Sequence, residues 1–286
     1  MPELAEVEYY RQRWDCGLGH RITAVKLHPE KRIFRGTDVA GLQKILAGAI
    51  LQESAAHGKQ LVFRFSSHAW LGLHLGMTGK LSVAAPNLSP GKHDHLVLVQ
   101  SDRSLVFTDS RQFGRVRFHH GDHPPAWWAE LPPPINSRAF TRRVMTQFLA
   151  KHGRVTIKAA LLLQRGFPGL GNWMADEMLW RARIDPRTKV ARLSISQRDD
   201  LWKALRFVTR GAMKHVGRDF SDPPADWLFH QRWKRNGRCP IHKKPLQRQT
   251  VGGRTTAWCK ICQPPPKGKG AGRTTEARGQ ATPPGG

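Results

Sequence analysis

Pro168-Gly169-Leu170-Gly171-Asn172-Trp173-Met174-Ala175-Asp176-Glu177 reads as a glycine turn that opens a helix. Glycines at 169 and 171 let the backbone bend tightly and approach a partner closely. A helical pattern then resumes from Trp173 to Ile184. The backbone N–H groups at the start of that helix, near Asn172, make a phosphate site by geometry; a plain helical hairpin with a glycine turn is the alternative. Helical patterns flank the turn. Phe140–Lys151 and Thr156–Gln164 precede it, and a helix from a capping-box-like Ser196-Gln197-Arg198-Asp199 to about Met213 follows. The middle of the chain is thus a helical unit.

Upstream the pattern changes. Leu61-Val62-Phe63-Arg64-Phe65 alternates, and Trp70 to Leu75 sets Leu71, Leu73 and Leu75 on one face. His95–Gln100, Ser104–Thr108 and Val116–Phe118 follow with short turns between them, which predicts a β-sandwich or barrel. Leu4, Val7, Tyr10/Arg11 and Trp14 recur at helical spacing, so a helix opens the chain, ended by Gly17-Leu18-Gly19. Between the strands and the helices, Pro124-Pro125 and Pro132-Pro133-Pro134 mark a linker or stiff boundary.

Downstream, Cys239-Pro240-Ile241-His242 and Cys259-Lys260-Ile261-Cys262 give C-x2-H, sixteen residues, then C-x2-C. Three thiolates and one imidazole close a tetrahedral site suited to a single structural Zn2+. Gly252-Gly253 lets the segment between them fold back as a hairpin, with Lys243, Lys244, Arg248 and Arg254 on it. Asp219–Asp226 reads as a polar loop, and 264–286 is rich in Pro, Gly, Lys and Arg, the composition of a disordered basic tail.

The chain carries 47 Lys+Arg against 21 Asp+Glu, a formal net charge of +26 in 286 residues. Such a charge points to a polyanionic partner, DNA or RNA first. No apolar run is long enough to span a bilayer, and the acidic start, Met1 to Glu8, is no secretory signal. Residue 2 is Pro. Removal of Met1 would leave a secondary amine titrating near 8, with Glu3 beside it to move a proton. Such an amine can attack a sugar C1′ and form an iminium.

Six blocks, in order, resemble the formamidopyrimidine-DNA glycosylase and endonuclease VIII family, from residue 2 to about 263. They are Pro2-Glu3-Leu4-Ala5-Glu6-Val7-Glu8, His57-Gly58-Lys59-Gln60-Leu61, Leu73 to Gly79, Asp109-Ser110-Arg111-Gln112-Phe113-Gly114, Gly169 to Glu177, and the Cys/His segment. Ala5 stands where the family start has a proline, and His242 where it commonly has Cys. The resemblance implies an α+β multidomain fold: an N-terminal β-sandwich with an N-terminal helix (2–121), a Pro-rich linker (122–136), a helix–two-turn–helix domain (137–225), a C-terminal zinc β-hairpin (226–263) and the tail (264–286).

It also implies a bifunctional DNA glycosylase and abasic-site lyase of base-excision repair. Pro2 would be the nucleophile, Glu3 the acid/base, and Lys59 the third catalytic group. Met77, Arg111 and Phe113 would fill the space left by the extruded nucleotide, with Asn172 and Arg254 on flanking phosphates and His74 contacting the DNA backbone. The partner would be double-stranded DNA with a damaged base or abasic site, bound by a cytoplasmic, bacterial-type monomer. Oxidised or ring-opened purines lead as substrates. Oxidised pyrimidines stay open, because the stretch from His215 to Arg238 looks shorter than the lid loop of the purine-specific members. A non-catalytic zinc protein on the same scaffold, or an RNA-associated basic protein, are the rivals from other classes.

Overall fold

A computed structural model of the chain describes residues 1–265, so the expected basic tail lies, from 266 onward, outside the described residues. The first half comprises α1 (Leu4–Arg13), β1 (Ala24–Leu27), α2 (Val39–Leu46), β2 (Leu51–His57), β3 (Gln60–Phe65), β4 (Ala69–His74), β5 (Lys80–Ala84), β6 (Asp94–Val99), β7 (Ser104–Thr108) and β8 (Arg115–His120). The strands form two antiparallel four-stranded sheets, β1-β6-β7-β5 and β2-β3-β4-β8. Leu61, Phe63 and Phe65 of β3 and Leu71 and Leu73 of β4 meet Leu96, Leu98 and Phe107 of the other sheet in one core. That is the two-residue period of a strand burying one face.

The proline-rich stretch is not a free tether. It holds α3 (Ala126–Ala129), whose Trp127 lies so close over Gly72 of β4 that a Cβ there would meet the ring at 2.3 Å. His57 Nε2 bonds the Pro132 carbonyl at 2.6 Å, and Ile135 is already part of the helical core. That core belongs to α4 (Arg142–Ala150), α5 (Ile157–Leu161), α6 (Asn172–Arg181) and α7 (Ile195–Lys214). Ser194, not Ser196, caps α7, through a capping box with Gln197. The reciprocal bonds need a residue at N3 that reaches back three positions, and only Ser194 has Gln197 there.

α8 (Val216–Asp219) and α9 (Phe229–Arg232) follow, then the hairpin of β9 (Gln247–Val251) and β10 (Arg254–Trp258), turned by Gly252 and Gly253 at positive φ. α1 joins the two halves. Its Leu4 and Ala5 are buried in the helical core, while Val7 and Trp14, on the following turns, are buried in the sandwich core. Residues 3–6 are thereby fixed at the seam.

Candidate active site and metal centre

At that seam the Glu3 carboxylate crosses to the start of α6. It accepts from the backbone N–H of Gly171 (3.1 Å), Trp173 (2.8 Å) and Met174 (3.1 Å). The N–H groups expected to hold a phosphate are therefore already occupied by a carboxylate, and the expectation of a bare helix-end phosphate site is corrected. The helix dipole favours any anion at this end, and Glu3 is the one the fold delivers. Gly171 is what admits it: a Cβ there would lie 2.2–2.5 Å from Glu3 side-chain atoms. Gly169, at φ +87°, accepts a bond from the Leu4 N–H at 2.9 Å. So the glycine turn does make a close approach, to the chain's own N-terminal segment.

The turn between β2 and β3 closes on the same point. Gly58 packs against the Pro168-Gly169 backbone, and Lys59 Nζ donates to the Leu170 carbonyl at 3.0 Å. Burial pushes the Lys59 ammonium pKa down; Glu3 opposes this, Arg254 adds to it and Glu6 opposes it. Burial, then Glu6, push Glu3 up to about 7, against the pull of Lys59 and the Trp173 and Met174 amides. Glu6 caps α1 by accepting from the Glu3 N–H (3.1 Å) and also accepts from the Trp173 indole (2.9 Å). Burial raises its pKa as well. A carboxyl titrating near neutrality beside a buried lysine can exchange protons under physiological conditions.

Glu3, Glu6, Lys59, His74, Trp173 and Arg254 line one cavity of about 880 Å³, with Met77, Asn172, Phe229 and Trp233 among its other walls. Half-buried Pro2 lines a smaller adjoining recess with Met77, Tyr10 and Phe220. His74 accepts the Gly76 N–H on Nδ1 at 3.0 Å. Burial and the charges of Lys59, Arg117 and Arg35 push its pKa down to about 4, so it sits there neutral. The Asn172 amide donates to the Thr255 carbonyl at 2.9 Å and leaves its buried Oδ1 without a protein partner. Arg254 is exposed at the hairpin turn.

Met77 and Phe113 are 40% and 42% exposed, although hydrophobic periodicity alone would bury both. Arg111 lies over the Phe113 ring at 4.9 Å. Arg111 and Phe113 stand outside the main cavity's lining, on the next loop. Buried Asp109 ties the two loops together. Its carboxylate accepts from Thr78 Oγ1 (2.6 Å), the Arg111 N–H (3.2 Å) and the Gly114 N–H (2.7 Å). His95 Nε2 meets its carbonyl at 2.8 Å.

At the far end, Cys239, His242, Cys259 and Cys262 bring their ligand atoms within 4.8 Å of one another. Cys239 Sγ lies 3.6 Å from Cys262 Sγ and 3.8 Å from His242 Nδ1. Ligands at tetrahedral Zn–S and Zn–N distances would be separated by about 3.6–3.8 Å, so the group fits such an ion. The hairpin is anchored to α6 through buried Asp176, which accepts from Lys158, from Arg232 at 2.7 Å and from the Ala257 N–H at 3.2 Å.

Comparison with known proteins decides the family. The formamidopyrimidine-DNA glycosylase N-terminal domain matches residues 1–116, and that enzyme's H2TH domain matches 131–222. The chain belongs to the formamidopyrimidine-DNA glycosylase family. It is 34% identical to the Bordetella pertussis formamidopyrimidine-DNA glycosylase over 275 residues, covering 92% of this chain and 99% of that one. With the Symbiobacterium thermophilum enzyme it shares 36% over 284 residues, 94% and 91% of the two chains. Lactococcus lactis Fpg (MutM) bound to N7-benzyl-Fapy-dG DNA superposes with a TM-score of 0.83 at 27% identity, over 92% of this chain and all of that one. The same enzyme with abasic-site DNA gives 0.80 at 27% identity, again over 92% and 100%.

The family's N-terminal domain thus contains Pro2, Glu3, Lys59 and both exposed loops, and its H2TH domain contains the glycine turn. The Cys/His group lies beyond both matched segments. Reading the sequence missed Glu6, Asp109 and Trp233. Glu6 was open to discovery, since Glu3-x-x-Glu6 has capping-box spacing, and Asp109 opens one of the six family blocks, but no local pattern marks Trp233.

Proposed function

We propose that this glycosylase-family chain excises oxidised or ring-opened purines from double-stranded DNA and then cleaves the abasic site. The observation that carries the reading is the buried Glu3 carboxyl, beside Lys59 in a cavity adjoined by the recess that Pro2 lines, with its pKa raised to about 7. Removal of Met1 frees the Pro2 nitrogen. Its lone pair forms a bond to C1′ as the glycosidic bond breaks; the glycosidic pair leaves with the base, which takes up the proton that the Pro2 nitrogen gives up. Glu3 supplies a proton as the sugar ring opens, which leaves an iminium on Pro2. Loss of a C2′ proton expels the 3′ phosphate, and a second elimination expels the 5′ phosphate. Lys59 supports these lyase steps at the sugar and its phosphate.

Met77, Arg111 and Phe113 occupy the gap in the duplex, with Phe113 wedged into the stack and Arg111 toward the unpaired base; such a wedge offsets the cost of unstacking. Asn172, with its free Oδ1 accepting through water and its amide re-aimed, and Arg254 bind flanking phosphates. Neutral His74 contacts the backbone as a hydrogen-bond partner. Cys239, His242, Cys259 and Cys262 hold one structural Zn2+ that fixes the hairpin carrying Arg254.

Removal of oxidised pyrimidines is a second reading with its own support. The segment after α7 is fastened to α1: Phe220 packs on Tyr9 at 4.7 Å, and the Gly217 carbonyl accepts from Gln12 at 3.1 Å. Lactococcus lactis Fpg has also been crystallised with DNA containing an oxidised pyrimidine. Duplexes bearing formamidopyrimidine, 8-oxoguanine or thymine glycol test the assignment. Faster cleavage of the purine lesions is expected; preference for thymine glycol would move the substrate class, and cleavage of none would remove the function.

A further inference from the structure

Trp233 is 59% exposed, yet it stands in the wall of the cavity that holds Glu3, Glu6 and Lys59. Its placement is not that of a loose surface side chain. The guanidinium of buried Arg232 covers one face, 3.9 Å from the ring centroid, and two bonds of 3.1 and 2.7 Å from Arg232 to Asp176 hold that guanidinium in turn. Phe229 meets Trp233 edge-on at 6.5 Å and 86°, and meets Trp173 at 5.1 Å and 78°. The indole is thus backed on one face by Arg232 and set perpendicular to Phe229, and it keeps 59% of its surface exposed at the cavity wall.

We propose that this exposed surface of Trp233 is the platform on which the extruded base stacks. The inference rests on the reading above, that the cavity receives a base taken out of the duplex. A base presents a flat π surface, and an aromatic plane fixed in advance binds it without an ordering cost. Stacking does not read base edges, so the same platform accepts a ring-opened purine or an oxidised pyrimidine. It takes the place of a covering loop, since the segment after α7 is fastened to α1 instead.

The test compares Trp233→Ala and Trp233→Phe on two duplexes, one with a formamidopyrimidine lesion and one with a preformed abasic site, which has no base to stack. Stacking losses of the usual size predict a roughly ten- to hundredfold fall in single-turnover excision for W233A. The fall on the lesion should exceed that on the abasic site by about tenfold or more. W233F keeps an aromatic face but loses the indole N–H, and should recover most of the excision rate. Equal losses on both duplexes, no loss on the lesion, or a W233F variant as slow as W233A would each overturn the platform. Failure of the wild-type protein to form a borohydride-trapped adduct with abasic DNA would instead strike the glycosylase/lyase reading itself.

Discussion

The two walls of the cavity are put together differently. On the sandwich side, Lys59, His74, Met77, Arg111 and Phe113 sit at or beside tight turns between regular strands, and short-range bonds to Gly76 and Asp109 shape those turns. On the opposite side, Phe229, Trp233 and Arg254 sit on a one-turn helix, the residue after it and a hairpin tip. That wall is held from beneath by the buried Lys158–Asp176–Arg232 group. A turn specified by its own residues is robust on its own. A wall held by a buried charge cluster depends on every member, because an unpaired charge in the interior is costly. Glu3 belongs to neither wall; it joins them, from α1 to α6.

Removing the joint should have the largest effect. Glu3→Gln keeps the size and one of the two acceptor oxygens, turns its NH2 toward a backbone N–H of the α6 start, and cannot donate a titrating proton, so base excision should fall about 10²- to 10⁴-fold in single-turnover assays. In the unmodified protein Glu3 loses its proton as pH rises through about 7 while the Pro2 amine must be unprotonated to attack, so excision should pass through a maximum and decline on its alkaline side as the proton-donating form of Glu3 is lost. E3Q should lack that limb. An E3Q rate within tenfold of wild type, or an identical pH profile, would remove Glu3 from the chemistry.

Asp176→Asn breaks the charge cluster and should cost about 3–5 kcal/mol in urea unfolding, because Lys158 and Arg232 lose their counter-charge. If the two walls are anchored independently, hydrogen exchange in D176N should quicken in 229–258 and leave β3 and β4 protected. A loss under about 1 kcal/mol would mean that the cluster is no anchor.

Asp109→Asn turns an NH2 group toward one of the N–H donors of the loop carrying Arg111 and Phe113, a loss of about 1–3 kcal/mol. Lesion-DNA affinity should drop about tenfold with little change in melting temperature. An equal loss of global stability would show that Asp109 serves the core and not the loops.

The same contrast explains what could be read from the sequence. The strands of the sandwich wall were legible because alternation is a local signal, whereas Lys59, His74, Met77, Arg111 and Phe113 were placed by the family resemblance, since periodicity alone would bury Met77 and Phe113. The zinc-type spacing and the Gly252-Gly253 hairpin were local too, and the structure brings all four ligands together. β1, β5 and α2 went unread because each is short, at four, five and eight residues, and β2 because Gln52, Glu53 and Ser54 interrupt its apolar pattern. The start of α6 was read as a phosphate site because its true occupant, Glu3, lies 168 residues from Gly171. Trp233 went unread; its significance comes from Arg232, Asp176 and Phe229, which only the fold assembles around it.

The central claim, that the chain's own second residue attacks the sugar, is tested most directly by borohydride trapping. The mature protein would be mixed with a formamidopyrimidine duplex and reductant, digested, and its N-terminal peptide weighed. The account predicts that Met1 is absent and that a reduced sugar adduct sits on Pro2. A peptide that retains Met1, or an unmodified Pro2 in protein that binds zinc and lesion DNA normally, would contradict it.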